Sequence, residues 1–108
     1  MQWCVEVLNR IVEAEIDAFP ADVKANLLKI VQRIESLGLE KVGEPYAKHI
    51  EDKIWELRPH GRNLAGRCLY VTAHQRRVVI LVAFVKKSEK TPRRYIELAR
   101  HRMMDIAP

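Results

Sequence analysis

Residues 78–94 read VVILVAFVKKSEKTPRR, and the rest of the chain is organised around this stretch. Residues 78–85 are all apolar and mostly β-branched, a pattern typical of a β-strand that is covered on both faces. Thr91 and Pro92 predict the start of a helix, with Thr91 as the N-cap residue and Pro92 at the first helical position. The stretch therefore predicts a buried strand, a short loop and a helix in direct succession.

The loop between this strand and helix, together with the first helical turn, carries five positive charges. They belong to Lys86, Lys87, Lys90, Arg93 and Arg94. The dipole of a helix disfavours cations at its N-terminus, so a concentration of positive charge there suggests that an anion binds. The alternative is a solvated loop of lysines that blunts the edge of a sheet.

The length and composition of the chain limit what it can be. Its 108 residues predict a single domain spanning residues 1–108, and 48% hydrophobic with 31% charged residues is typical of a soluble globular protein. No apolar stretch approaches the roughly 18 residues of a membrane span, and residues 1–6 lack the features of a signal peptide. We therefore expect a cytoplasmic protein that does not contact a membrane. Cys4 and Cys68 are too few for a disulfide framework and are expected to be reduced.

The net charge of +5 is unevenly distributed along the chain. Residues 1–52 contain six Lys and Arg against ten Asp and Glu, a net charge of −4, whereas residues 53–108 contain thirteen against four, a net charge of +9. A strongly basic half favours a polyanionic partner, with nucleic acid first. A solvated basic face explains the charge equally well.

Two amphipathic helices are predicted in the first half. Apolar residues recur at helical spacing over residues 8–19 and again over residues 23–37, with Pro20 between the helices and Gly38 as the C-cap of the second. We expect the pair to form an antiparallel helical hairpin. Residues 3–7 alternate in a way that indicates a short preceding strand.

Three consecutive strands are predicted in the second half. Residues 53–58 and 66–73 alternate or are rich in strand formers, and together with residues 78–85 they form an antiparallel meander. Residues 38–52 are predicted to be a loop, because Gly43 and Pro45 break regular structure. The last helix is predicted over residues 92–106.

The predicted fold is therefore α+β, with the element order β-α-α-β-β-β-α. A small antiparallel sheet packs in two layers with the N-terminal helical hairpin and the C-terminal helix. The first strand joins the meander either at an edge or beside its central strand.

Four motifs, taken in order, resemble a known toxin superfamily. They are Glu56-Leu57-Arg58-Pro59, Gly66-Arg67-x-Leu69-Tyr70, Phe84-x-Lys86-Lys87-x-x-Lys90-Thr91-Pro92 and Ile96-Glu97-x-Ala99. The sequence resembles the RelE/ParE superfamily of type II toxins, and within it the HigB-like, phage-derived branch. The motifs run from about residue 53 to the C-terminus, and the element order fits a RelE-like fold over the entire chain.

The resemblance implies the toxin of a type II toxin–antitoxin system, an mRNA interferase that inhibits translation and growth. Such an enzyme is an endoribonuclease without metal or cofactor. It acts on mRNA, with dependence on the ribosome favoured over free mRNA, and is neutralised by a cognate helix-turn-helix antitoxin. In this class the ribose 2′-OH attacks the adjacent phosphate and leaves a 2′,3′-cyclic phosphate and a 5′-OH end. The reaction requires cations around the transition state together with an acid and a base.

Two arginines are the first candidates for the active site. Arg58 and Arg67 lie on neighbouring strands of the predicted meander, so their side chains can converge on one face. Arginine suits phosphate because it donates two parallel hydrogen bonds. The resemblance implies a catalytic role for Arg67 in particular. The alternative is a structural pair between an arginine and Glu56 or another surface acid.

The positive charges of the loop complete the predicted site. Lys86 and Lys90, with Arg93 and Arg94, are predicted to bind RNA, and Lys87 is predicted to act in catalysis. A lysine can grip the phosphate backbone or transfer a proton, and the sequence leaves these two roles open.

Aromatic residues are the remaining candidates. Tyr70 is predicted to be catalytic or to stack on a base, with packing in the core as an equal alternative, and Tyr95 is a second candidate. The four histidines have no metal-ligand spacing with each other or with the cysteines, so no metal site is expected. Several RNases of the superfamily carry a catalytic Tyr or His close to the C-terminus, and residues 102–108 contain neither. The sequence therefore does not assign the acid and the base.

Two other functions remain open. A ParE-like toxin would bind DNA gyrase without enzymatic activity, and a basic nucleic-acid-binding module would bind without chemistry. Unchanged transcripts in arrested cells would indicate the first, and salt-sensitive binding without product ends would indicate the second.

Overall fold

Three helices, five strands and one short 3-10 helix make up the part of the chain that the computed structural model describes, residues 2–107. In chain order they are β1 (Cys4–Val7), α1 (Arg10–Asp17), α2 (Ala21–Leu37), the 3-10 helix (Leu39–Lys41), β2 (Ala47–Glu51), β3 (Ile54–Leu57), β4 (Gly66–Ala73), β5 (Arg77–Val85) and α3 (Arg93–Met103). The fold is α+β, as predicted. None of these helices is long and apolar enough to cross a membrane. Met1 and Pro108, which the predicted domain also includes, lie outside the described residues.

The five strands form one mixed sheet in the order β1-β5-β4-β3-β2. Strands β3, β4 and β5 form the predicted antiparallel meander, which confirms that prediction, and β2 extends it by one more antiparallel strand. Strand β1 lies at the edge of the sheet and pairs in parallel with β5. The expectation of a wholly antiparallel sheet is wrong, because the first strand enters beside β5 and runs in the same direction.

Strand β2 occupies part of the segment predicted as a loop, residues 38–52, and this prediction is wrong. The segment contains the 3-10 helix and then, after a turn at Gly43, a strand that pairs with β3. Its two-residue alternation is hidden, because Lys48 and His49 are both exposed and the register shifts between His49 and Glu51. Pairing with β3 stabilises what the local pattern does not predict.

Strand β5 is buried on both faces, as its apolar run predicts. Val78, Ile80 and Ala83 belong to the core that α1 and α2 close, whereas Val79 and Leu81 belong to the core that α3 closes. The sheet is therefore the middle of three layers, and the expectation of two layers is wrong. A single layer of helices cannot cover a strand that is apolar on both faces.

The ends of the first two helices have clear local causes. The side chain of Asn9 accepts a hydrogen bond from the backbone N–H of Val12 over 3.1 Å and caps α1. Helix α2 ends at Gly38, whose φ of +98° suits glycine and confirms the predicted C-cap. Both helices lie against the sheet, α1 on β5 and β1, and α2 on β1 and the 3-10 helix. Side chains of both helices belong to the same buried core against the sheet.

Side chains from two helices complete the hydrogen bonds of β5 where β1 no longer covers it. The carboxylate of Glu15 in α1 accepts from the backbone N–H of Ala83 over 3.0 Å. The guanidinium of Arg102 in α3 donates to the carbonyl of Leu81 over 2.8 Å, and Arg102 and Glu15 pair with each other at 2.9 Å. This arrangement joins helices on opposite faces of the sheet and protects its open edge.

Candidate functional site

Arg58 and Arg67 lie side by side on the face of the sheet that α3 covers. Leu57 in β3 pairs with Cys68 in β4. Arg58, which follows Leu57, therefore lies next to Arg67, which precedes Cys68. Both guanidinium groups approach the same carboxylate oxygen of Glu56, Arg58 Nε at 3.0 Å and Arg67 Nε at 3.4 Å. The structure therefore shows the expected convergence of the two arginines, together with the pairing to Glu56 that was the alternative.

Glu56 is the centre of this cluster and is fully buried, with 0% of its surface exposed. Its Oε1 faces the two arginines, and its Oε2 accepts a hydrogen bond of 2.7 Å from the hydroxyl of Thr91. A buried carboxylate requires such partners, because an unpaired charge in the interior is costly. Two hydrogen bonds and one ion pair hold Glu56 in place, and Glu56 in turn orients its three partners.

The hydroxyl of Thr91 serves Glu56 and does not cap a helix, so the predicted N-cap is wrong. Helix α3 begins at Arg93, Pro92 is the N-cap, and no side-chain hydrogen bond caps this end. A hydrogen bond to a carboxylate is stronger than one between neutral groups, which explains why the hydroxyl turns towards Glu56. The segment before α3 is consequently attached to β3.

Arg67 is nearly buried, with 8% of its surface exposed. Burial lowers the pKa of its guanidinium, the charge of Glu56 opposes this effect, and nearby Arg58 adds to it. Arginine is basic enough to stay charged under such a shift. Its Nη1 donates to the backbone carbonyl of Gly66 over 2.9 Å. The protein thus engages Nε and Nη1 of Arg67 and leaves Nη2 as a free donor within the described structure.

A small cavity of about 20 Å³ opens beside Arg67, between the end of β5 and the start of α3. Its lining includes Arg67, Lys86, Lys87, Lys90, Thr91, Arg94 and Tyr95. The structure therefore brings Arg67 together with the lysine loop, defined as residues 86–91. The cavity has room for a water molecule or a single oxygen atom, so a phosphate group would sit at its mouth.

The three lysines of the lysine loop differ in how their charge is balanced. Lys86 pairs with Glu89 at 2.6 Å. Lys87 and Lys90 have no carboxylate within salt-bridge distance among residues 2–107. Lys87 also lines a second, more open cavity next to residues 61–65. Lys87 and Lys90 are thus positioned to bind an anion from solvent.

The two arginines that open α3 have different surroundings. Arg93 pairs with Glu51 at 2.5 Å and with Glu97 at 2.6 Å, and these hydrogen bonds raise the pKa of its guanidinium. Arg93 does not line the small cavity. Arg94 does line it, and its guanidinium carbon lies 4.6 Å from the centre of the Tyr95 ring. The structure therefore places Arg94 in the candidate site and Arg93 outside it.

Glu51 in β2 anchors α3 to the sheet. It accepts hydrogen bonds from Arg93 and Arg100 of α3, and these two partners lower its pKa from 4.5 to about 2. Arg100 also pairs with Asp52 at 2.8 Å. The network holds α3, and with it the end of the lysine loop, against the β2–β3 hairpin.

Tyr70 lies on the opposite face of the sheet from Arg67, so the structure contradicts its predicted place in the site. It is 2% exposed and packs in the core under α1 and α2, and burial raises the pKa of its hydroxyl to about 12. The two residues are three positions apart on one strand, and an odd separation directs side chains to opposite faces. This alternation could have been read from the sequence, and the packing alternative is the one observed.

Glu56 is the central residue that the sequence prediction missed, because it appeared there only as a pairing partner. It shares one face of β3 with Ile54, which is fully buried, and with Arg58, the residue after the strand. A carboxylate at a strand position that alternation directs into a covered face requires buried donors. That pattern is the signal that could have identified it.

The cysteines and histidines take no part in the cluster around Glu56. Neither Cys4 nor Cys68 forms a disulfide, and burial raises the pKa of the Cys68 thiol. Within residues 2–107 no group of three or more His, Cys, Asp or Glu side chains could hold a metal ion. His49 packs edge-on against Trp55, with ring centres 5.1 Å apart.

A comparison with protein-family models gives a match over most of the chain. The family model described as Phage derived protein Gp49-like (DUF891) matches residues 14–104. This range covers most of the chain and includes Glu56, Arg58, Arg67 and the lysine loop. No curated protein sequence matches the chain.

Proposed function

Because this chain belongs to the Gp49-like family of phage-derived proteins, which is part of the RelE/ParE-like toxin superfamily, we propose that it is the toxin of a type II toxin–antitoxin system and cleaves mRNA. Proteins of this family are generally toxin-like modules of toxin–antitoxin systems. The resemblance seen in the sequence is thus confirmed at the level of the superfamily, and the HigB-like branch stays a prediction. The endonuclease activity is the part of the proposal that depends on the site.

The observation that supports endonuclease activity is the clustering of cations around one buried carboxylate. Glu56 holds Arg58 and Arg67, and the lysine loop adds two lysines without carboxylate partners in the described chain. Because the arginines are fixed before any ligand arrives, little reorganisation is needed when charge develops on a phosphate. Mere attraction of nucleic acid requires no such order, since mobile surface lysines provide it equally well.

In the proposed reaction the ribose 2′-OH attacks the adjacent phosphorus. The O2′–P bond forms and the P–O5′ bond breaks, which leaves a 2′,3′-cyclic phosphate and a 5′-OH end. The free Nη2 of Arg67 donates to a non-bridging phosphate oxygen, where negative charge accumulates, and the positive charge of the neighbouring Arg58 adds to this stabilisation. The proposal includes neither a metal nor a cofactor, because the guanidinium groups supply the positive charge.

Two protons move in this reaction, one from the 2′-OH and one to the leaving 5′-oxygen. Lys87 is the candidate for protonating the leaving oxygen, because this residue lines the small cavity and has no carboxylate within salt-bridge distance among the described residues. The proton of the 2′-OH passes to water at the mouth of the cavity. Tyr70 is not assigned either role, since it belongs to the core on the other face of the sheet.

The proposed partners are an antitoxin, mRNA and the ribosome. Membership of the family implies an antitoxin partner, and we propose a cognate helix-turn-helix protein. The net charge of +9 over residues 53–108 suits RNA. We propose dependence on the ribosome because the resemblance of the sequence to the toxin superfamily implies it.

End-mapping of cellular RNA after induction of the protein tests the endonuclease proposal. We expect growth arrest together with in-frame mRNA breaks that carry 5′-OH ends, and loss of both with Arg67→Ala or Lys87→Ala. The matched control is Lys29→Ala, which removes an exposed lysine from α2 and should leave the breaks unchanged. Intact mRNA during growth arrest would contradict the proposal. DNA damage signalling in the same cells would then indicate the gyrase-binding alternative.

A further inference from the structure

Three side chains form a stack at the junction of β5 and α3. The rings of Phe84 and Tyr95 are nearly parallel, with centres 3.8 Å apart and an angle of 6° between their planes. The guanidinium carbon of Arg94 lies 4.6 Å from the centre of the Tyr95 ring. Because Phe84 occupies one face of that ring at contact distance, Arg94 lies over the other face. We name this series, from the core outward, the Arg94 stack.

The Arg94 stack runs from the interior to the solvent. Phe84 is buried, Tyr95 is half-buried and Arg94 is exposed. Arg94 has no carboxylate within salt-bridge distance in the part of the chain that the structure describes, whereas its neighbour Arg93 has two. The guanidinium of Arg94 lies over the Tyr95 ring, its Nη2 donates to the Tyr95 hydroxyl over 3.4 Å, and the residue is otherwise exposed to solvent.

The Arg94 stack also adjoins the lysine loop. Arg94 and Tyr95 line the same small cavity as Lys87 and Lys90. A flat cationic surface thus lies next to two lysines whose charge is not balanced by a carboxylate. Guanidinium and aromatic planes bind unpaired nucleobases by stacking, and lysines bind the phosphates of the same strand.

We propose that the outer face of Arg94 is a stacking site for one unpaired base of single-stranded RNA, adjacent to the phosphate held by the lysine loop. This inference rests on the proposed function for the identity of the nucleic acid, and it adds the subsite that binds a base. A double helix does not fit, because its bases cover each other's faces. Every base has a π face, so the site accepts any base and positions the strand without reading its sequence.

Binding of an oligonucleotide that cannot be cleaved tests the stacking site in the full-length protein. The probe is a short 2′-O-methyl RNA, the comparison probe has the same backbone with abasic positions, and fluorescence anisotropy at fixed salt reports both affinities. We expect the base-containing probe to bind at least about fivefold more tightly, which is the lower end of what stacking one base contributes. Equal affinities for the two probes, or no binding of either, would overturn the proposal.

Replacing an arginine of α3 with lysine tests whether binding depends on the flat guanidinium group or only on the positive charge. Arg94→Lys keeps the positive charge and removes the flat group, so this variant should bind the two probes equally. Arg93→Lys is the matched control, since Arg93 lies outside the small cavity, and it should keep the preference for the base-containing probe. A preference retained in Arg94→Lys would contradict the stacking site.

Failure of the stacking site can be distinguished from failure of the proposed function. The probe lacks a 2′-OH, so its binding does not depend on cleavage. Intact cellular mRNA combined with an Arg94-dependent preference would overturn the endonuclease and support the stacking site. Cleaved mRNA combined with equal binding of the two probes would support the endonuclease and overturn the stacking site.

Discussion

The hydroxyl of Thr91 donates a hydrogen bond of 2.7 Å to the buried carboxylate of Glu56, which connects the segment before α3 to the middle of the sheet. The other oxygen of the same carboxylate faces Arg58 and Arg67. One carboxylate therefore sets the position of both the arginine pair and the end of the lysine loop. A change at Glu56 should affect the fold and the candidate site together.

Glu56→Gln should destabilise the protein strongly. The amide keeps the size of the side chain but removes the charge that the two guanidinium groups require. We expect the free energy of unfolding in urea to fall by about 3 kcal/mol, the low end for a broken buried pair, because the Arg58 side chain stays partly exposed to water. The control is Glu89→Gln, which breaks an exposed pair with Lys86 and should change stability by less than about 1 kcal/mol. Similar losses in the two variants would contradict the central position of Glu56.

Thr91→Val should lower the free energy of unfolding by about 1–3 kcal/mol. Valine keeps the shape of threonine and leaves the buried oxygen of Glu56 without its donor. Thr91→Ser keeps the hydroxyl and should lower the free energy of unfolding by less than Thr91→Val does. Urea denaturation of the three proteins measures these differences, and a valine variant as stable as the serine variant would argue against the hydrogen bond.

Thr91→Asp distinguishes the observed hydrogen bond from helix capping. Aspartate is among the best N-cap residues, so it would be tolerated if Thr91 capped α3. In the structure it would instead place a second negative charge beside Glu56. We therefore expect a lower melting temperature for Thr91→Asp than for Thr91→Ser, and the opposite order would restore the capping role.

Tyr70→Phe should leave toxicity unchanged. The side chain lies in the core under α1 and α2, and the substitution keeps its ring. Growth arrest on induction should match that of the unchanged protein, whereas Arg67→Ala should relieve it. Loss of toxicity in Tyr70→Phe at an unchanged melting temperature would return Tyr70 to the site.

Sequence patterns predicted the parts of the fold that depend on strong local signals. The apolar run of β5 predicted a strand covered on both faces, and Gly38 predicted the end of α2, and the structure confirms both. Two of the failed predictions involve partners that are distant in sequence. Strand β2 is defined by its pairing with β3, and Thr91 meets Glu56 across 35 residues, which no local pattern shows.

The candidate site was predictable to a similar extent. Positive charge at the β5–α3 junction marked the lysine loop, and the structure brings Arg67 to the same cavity. The difference between Arg93 and Arg94 depends on Glu51, which lies in a strand that the sequence did not reveal. The number of charged residues can be read from the composition, but which of them form ion pairs depends on the fold.

The ion network around Glu51 predicts how stability depends on pH. In the folded protein Arg93 and Arg100 lower the pKa of Glu51 from 4.5 to about 2. A carboxylate whose pKa is lowered by folding contributes stability above its unfolded pKa. That contribution should disappear as the pH falls from about 4.5 towards about 2, because protons then compete with the two arginines.

Thermal melts of the unchanged protein and of Glu51→Gln measure this contribution. At about pH 6 the unchanged protein should melt at a higher temperature, and the difference should shrink as the pH approaches 2. Added salt should also reduce the difference, because the network lies at the surface. Glu44→Gln is the control, because it changes an exposed carboxylate that has no ion pair in the described chain. Its melting temperature should equal that of the unchanged protein at every pH. A gap between Glu51→Gln and the unchanged protein that stays constant with pH would show that Glu51 acts through packing, since packing does not respond to protons.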